Sequence, residues 1–290
     1  MKKTANILTL VIMTFLLACG QTANQDEKTH SNNDSIQRID TVKQLTKEEK
    51  QKQVLEEERV DSLHLDIALK NAFKIAQTEF RSHKFTKQYE LQPDDSSYII
   101  YIEIVIGRLF NDQIKYFLLR RHVPWATYLN LYKINGDKTV KLIEREQGGM
   151  TYIRDTIFDA NGDGHKDFLV HWYPSSGCCI RDVNNVYLNQ PDKGNFTLDY
   201  EFINPTFSSK EKIIRGVEYG HPGEVGLYKY KWNGLQVDTI EFIYPDPNNK
   251  GQFIKTKKVA YEPTKKDGIV LKTVPKEYQK IDSYDWFAAF

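Results

Sequence analysis

The chain has 290 residues, with 40 Lys and Arg against 39 Asp and Glu, and a formal net charge of +1. That balance, without any Lys/Arg cluster, supplies no field for attracting nucleic acid, so no nucleic-acid partner is expected. About 220 residues follow Phe73, where the aromatic residues begin in earnest, enough for one sizeable core.

The first element is a leader. Lys2 and Lys3 form a basic start, Asn6 to Leu17 an apolar core, and Ala18-Cys19 its end. The apolar part is too short to span a bilayer, so 1–18 reads as a secretory signal peptide. "Leu-Leu-Ala-Cys" resembles the bacterial lipobox, which implies cleavage before Cys19 and its acylation. Acyl chains, each buried methylene contributing about 0.8 kcal/mol, would anchor the mature protein to a membrane. Gly20 stands where an Asp would signal inner-membrane retention, so the expected location is the cell envelope at the outer membrane, with the face left open.

From Gly20 to Val60 there is no Phe, Trp or Tyr. Such a segment cannot bury enough apolar area to offset its ordering entropy. Residues 19–60 therefore read as a tether, with "LTKEEKQKQVLEEERV" as a solvated helix within it, and 61–290 as one β-rich domain. Asp61 or Ser62 is the expected cap of an amphipathic helix. Leu65, Ala68, Leu69, Ala72, Phe73, Ala76 and Phe80 recur at helical spacing, to an expected end near His83.

After "QPDDSS" the pattern turns to strands. "YIIYIEIVIGRLF", "IKYFLLRRHV" and "TYLNLYKI" are β-branched and aromatic, and are bounded by turn residues. Three hairpins look alike: "YLNLYKINGDKTVKLIE", "NVYLNQPDKGNFTLDYEF" and "GLYKYKWNGLQVDTIEFIY". Asn135-Gly136 and Asn233-Gly234 are hairpin-turn signals. The irregular repeat suits blade-like β architecture. "FIKTKKVAYE" and "IVLKTV" close the sheet system, and "YDWFAAF" is expected to pack back on the body. The expected fold is mostly β, propeller-like or a mixed barrel or sandwich of hairpins, with one N-terminal amphipathic helix.

"DANGDGHKD" lies between two strand-like runs, with Asp159, Asn161, Asp163 and Asp167 at positions 1, 3, 5 and 9. Carboxylate and amide oxygens that converge in a tight turn are hard ligands suited to Ca2+, with position 7, His165, giving its backbone carbonyl. Gly162 and Gly164 permit the sharp turn. An EF-hand would need a Glu at position 12 and flanking helices, whereas Val170 stands there and both flanks read as strand. The loop is similar to the calcium hairpins of integrin α-chain propellers. Calcium here is expected to be structural.

Cys178 and Cys179 are adjacent in "PSSGCCIRD". Neighbouring Cα atoms about 3.8 Å apart fall below the usual disulfide range of about 4.4–6.8 Å. A strained vicinal disulfide, two free thiols, and redox or metal chemistry all stay open. No motif for nucleophilic or metal hydrolysis appears, and His171, in an alternating strand, reads as a satisfied sheet residue. Ser175, Ser176 and Gly177 in the first loop, with His221 and Glu224 in "YGHPGEVG", are the candidate binding-loop residues.

Over roughly 120 residues, Tyr128 to Tyr244, the calcium loop, "NVYLNQPDKGNF", "INPTFSSKEKIIRG" and "YKYKWNGLQVDTIE" resemble a family of bacterial calcium-binding envelope lipoproteins. The resemblance implies a propeller-like fold, Asp159, Asn161, Asp163 and Asp167 as metal ligands, and a lysozyme-inhibiting role against a cell-wall hydrolase. Several inhibitor families plug the enzyme cleft with a Ser-Gly-x-x-Tyr loop; here Ser176-Gly177 leads to Cys178, Cys179 and Ile180, so the Tyr is missing. The expectation is a membrane-anchored binding module and not an enzyme. The alternatives are an envelope hydrolase or glycan-processing enzyme with carboxylates not visible in sequence, or a purely structural envelope protein.

Overall fold

The computed structural model describes residues 45–94 and 96–289. The signal peptide, Cys19 and the tether as far as residue 44 lie outside them. Among the described residues no helix is long and apolar enough to cross a membrane.

The described residues are mostly β, with fifteen strands and two α-helices. The first helix, α1, runs Lys47–Thr78, so it begins earlier than a cap at Asp61 or Ser62 would give. The reason is a capping box upstream. Glu49 N–H donates to Thr46 Oγ1 at 3.2 Å, and Thr46 N–H donates to Glu49 Oε2 at 2.8 Å. Asp61 instead accepts from Tyr98 O–H, at 2.8 Å from mid-helix. Ala68, Ala72 and Ala76, one turn apart, are fully buried against the first sheet, and their small side chains let the helix approach it closely.

Three antiparallel sheets follow, each a meander whose neighbours in sequence are neighbours in hydrogen bonding. The first holds β1 (Phe85–Leu91), β2 (Ile100–Gly107), β3 (Tyr116–Val123), β4 (Ala126–Asn135) and β5 (Lys138–Gly148). The second holds β6 (Tyr152–Phe158), β7 (Asp167–Trp172), β8 (Val183–Gln190) and β9 (Asn195–Ile203). The third holds β10 (Pro205–Ser208), β11 (Ile213–Val217), β12 (Leu227–Asn233), β13 (Gln236–Pro245), β14 (Phe253–Thr256) and β15 (Ile269–Leu271). A short helix α2 (Tyr284–Phe287) lies near the end of the chain.

The period-two alternation of strand side chains turns these sheets into a stack. On β3, Phe117 and Leu119 face α1, while Tyr116 and Leu118 face the second sheet. On β7, Phe168 and Val170 meet the first sheet and Leu169 the third. The far face of the third sheet buries Val217, Leu227, Ile243 and Phe253 under the C-terminal segment, with Tyr278 and Phe287 fully buried. Helix, three sheets and tail thus form successive layers. This is the sandwich arm of the expectation; among the described residues no sheet closes into a barrel.

Each look-alike hairpin falls in a different sheet, as β4–β5, β8–β9 and β12–β13. The Asn-Gly turns are hairpins, shifted by one residue. Asn135 pairs with Lys138 and Asn233 with Gln236, so Gly136 and Gly234 take the first central place with φ of 62° and 60°. Asp137 and Leu235 after them have no positive φ. This is the residue preference of a type II′ turn, whose first central position wants Gly.

Candidate metal centre and binding loops

The loop from Asp159 to Asp167 joins β6 to β7 as a hairpin. Its side chains organise its own backbone. Asp159 Oδ1 accepts from Gly162 N–H at 2.6 Å and Asp163 N–H at 3.2 Å, and Oδ2 accepts from Gly164 N–H at 2.9 Å. Asn161 Oδ1 accepts from Asp163 N–H at 3.1 Å, and Asp163 Oδ1 from His165 N–H at 2.8 Å. Asn161 Nδ2 donates to Asp163 Oδ2 at 3.0 Å. Gly162 and Gly164 supply left-handed backbone, with φ of 73° and 88°. His165 is exposed.

Asp167 is the deep end of the loop, with no exposed surface. Its Oδ2 accepts from Ala160 N–H at 2.9 Å across the loop, and its Oδ1 from Asn189 N–H at 2.8 Å on β8. Burial pushes its pKa up to about 6; the two amide bonds oppose that shift, and the Asp163 and Asp159 charges add to it. Among the described residues none of Asp159, Asp163 and Asp167 forms an ion pair with Lys or Arg. Hard-oxygen donors, a buried carboxylate and no protein cation together suit Ca2+. The three carboxylates do not lie within 4.8 Å of one another, the spacing at which ligand atoms close on one ion. The Asp159 and Asp163 oxygens accept from loop amides instead.

The third sheet fixes where this loop sits. Ser209 Oγ donates to the Asp159 carbonyl, and the backbone at Ser209 passes so close to Gly162 that a Cβ there would lie 2.1 Å from its carbonyl oxygen. No local feature of the chain marks the Ser209 and Asn189 contacts, because one partner comes from the turn after β10 and the other from strand β8.

The two candidate binding loops come together. Cys179 Sγ lies 3.8 Å from His221 Nδ1, and a side chain at Gly177 would meet the Tyr219 hydroxyl. Ser175, Ser176, Gly177, Cys178, His221 and Glu224 are exposed, whereas Cys179 is buried. Cys178 and Cys179 are unbonded thiols, with sulfurs 2.7 Å apart. Tyr173 O–H donates to the Cys179 carbonyl at 3.3 Å. Trp286 of α2 donates to the Gly220 carbonyl at 2.9 Å and accepts from Gly223 N–H at 2.9 Å, which ties the second loop to the tail.

His171 is a satisfied sheet residue, its Nε2 lying 2.9 Å from Asp182 Oδ1. The pair lines a cleft of about 450 Å³ with Thr156, Asn184 and Thr206. No protein-family profile matches the chain, and neither a curated protein nor a solved structure matches it.

Proposed function

We propose that the chain is a calcium-stabilised binding module of a lipid-anchored envelope protein, whose partner is a cell-wall hydrolase of the lysozyme type. Calcium would be held by Asp159, Asn161, Asp163 and Asp167, with the His165 carbonyl completing the set. The observation that carries the reading is Asp167. It is a fully buried carboxylate beside two further acids, without an ion-pairing Lys or Arg among the described residues. A buried charge left without a counter-charge is costly, and a bound cation removes that cost.

A structural ion fits better than a catalytic one, because the loop's donors are turned onto its own backbone. At calcium ten times its dissociation constant, binding would add about 1.4 kcal/mol of stability. The partner surface is the paired loops around Ser175–Cys179 and Tyr219–Val225, whose outward residues are exposed and whose frames are fixed from beneath. Rigid loops lose less entropy on binding.

The test is a calcium titration of the purified protein, followed by capture of envelope hydrolases and a lysozyme-inhibition assay with and without chelator. One calcium per chain and calcium-dependent inhibition are expected. Ser176→Arg should abolish inhibition while leaving calcium binding intact. Calcium binding without any hydrolase contact would leave a structural envelope protein; no calcium binding at all would overturn the reading.

A further inference from the structure

Among the described residues, one group of His, Cys, Asp or Glu brings three ligand atoms within 4.8 Å of one another: Cys178, Cys179 and His221. It lies apart from the carboxylate loop, and its donors are of opposite chemical character. Two sulfurs and an imidazole nitrogen are soft or borderline ligands, which select thiophilic ions and leave calcium or magnesium unbound. We propose that Cys178, Cys179 and His221 form a three-coordinate site for copper(I).

The geometry favours three ligands over four. With metal–sulfur and metal–imidazole bonds of about 2.3 and 2.0 Å, a trigonal angle of 120° separates S and N by about 3.7 Å. Cys179 Sγ and His221 Nδ1 are 3.8 Å apart. The two sulfurs, at 2.7 Å, must open to about 4.0 Å for the same angle. Only one of them needs to move. Cys179 is 6% exposed and packed in place, whereas Cys178 is exposed and free to rotate outward. A structural zinc site would demand a fourth protein ligand, and the cluster offers three.

The frame is held from outside the cluster. Tyr173 holds the Cys179 carbonyl, Trp286 brackets the His221 loop through Gly220 and Gly223, and Glu224 N–H closes that loop by donating to the His221 carbonyl at 3.1 Å. The Arg181 guanidinium stacks 5.2 Å from the centre of the Tyr219 ring, beside the same loop. Its positive charge favours the anionic complex formed when two thiolates and a neutral imidazole bind one monovalent cation. Binding displaces the two thiol protons to solvent and leaves the copper at its original oxidation state, so affinity rises with pH.

The experiment uses the full chain, reduced and kept free of oxygen, with copper(I) presented by a chromophoric competing chelator. One copper per chain is expected, with an X-ray absorption signature of two sulfurs and one nitrogen. The double variant Cys178→Ser/Cys179→Ser should lose at least 100-fold in affinity, and His221→Ala about 10-fold with loss of the nitrogen signature. All variants retain Cys19, so any contribution from its sulfur, free or acylated, is the same in each. Near-ultraviolet circular dichroism checks folding, and Lys193→Ala, on the exposed turn between β8 and β9, should bind as the parent does. Equal copper binding by parent and double variant, or a spectrum lacking the nitrogen in the parent, would overturn the site. So would a Cys178–Cys179 disulfide that resists reduction.

Discussion

Arg120 on β3 and Asp155 on β6 close a two-point ion pair between the first and second sheets. Nε meets Oδ1 and Nη2 meets Oδ2, both at 2.6 Å. The Asp155 side chain is 2% exposed and the Arg120 side chain 17%. Tyr152 O–H donates to Asp155 at 2.7 Å and Glu103 lies 3.3 Å from Arg120, so the pair is the centre of a small polar network between the two sheets. Removing one partner leaves the other buried and uncompensated. Asp155→Ala or Arg120→Ala is therefore expected to cost about 3–5 kcal/mol, read as a lowered urea midpoint. The double variant should cost clearly less than the sum of the two. Additive costs would show that the charges are stabilised independently.

The loop acids separate into two roles that calcium dependence can distinguish. Asp163 is exposed and bonds two polar groups of its own turn, His165 N–H and the Asn161 amide. Asp163→Ala should lower the melting temperature in millimolar calcium and change it little in chelator. Asp159 also holds three loop amides. Asp159→Ala should therefore destabilise in both conditions, by about 1–2 kcal/mol in chelator. Scanning calorimetry of the two variants in both buffers decides the assignment. Equal destabilisation of each variant with and without calcium would mean that the loop is held by hydrogen bonds alone.

Gly162 and Gly164 make a matched pair for testing how the third sheet seats the loop. Both have positive φ, which costs a residue with a Cβ about 1–2 kcal/mol. At Gly164 nothing lies within 4 Å of a built Cβ, whereas at Gly162 the Ser209 carbonyl oxygen stands 2.1 Å away. Gly164→Ala should show the backbone cost alone. Gly162→Ala should exceed it by a further ~1–3 kcal/mol of overpacking and weaken calcium binding. Equal midpoints in chemical denaturation would place Ser209 away from the loop in solution.

Glu218 gives a pH signature. Burial holds its carboxyl above the usual range, against the Tyr244 hydroxyl bond and a backbone bond to Gly226, which both pull it down. A carboxyl raised in the folded state binds its proton more tightly there than in the unfolded chain. Its contribution to stability is therefore largest at low pH, and it falls as pH rises from the ordinary Glu value near 4.3 through the raised folded value. Glu218→Gln should remove that decline and be more stable than the parent at pH 7. Urea midpoints at pH 4 and pH 7 for both proteins test it; a parent whose Glu218 contribution rises with pH would contradict the sign.

The sequence by itself determined what local chemistry controls. Alternating apolar residues gave most of the strands, since a half-buried sheet needs that period. Asn-Gly gave two hairpins, because few residues accept positive φ. Even the shared style of those hairpins has a structural counterpart. The register shifts between Leu131 and Tyr132 in one and between Lys229 and Tyr230 in the other, at the same distance before each Asn-Gly. The start of α1 was legible too, in Thr46 and Glu49, though the stronger apolar pattern downstream drew the expected cap to Asp61. Strand β1 was overlooked, because Phe85, Tyr89 and Leu91 are too sparse to stand out.

Only the tertiary structure decided which faces meet and which distant residues share a site. Stacking the sheets puts Arg120 on Asp155 and Cys179 near His221, and pairing β7 with β8 puts Asn189 on Asp167; the partners are 35, 42 and 22 residues apart. No periodicity encodes such pairs. They follow from the order and twist of whole sheets, set by the summed burial of many apolar side chains, so the spacing in the chain holds no trace of them.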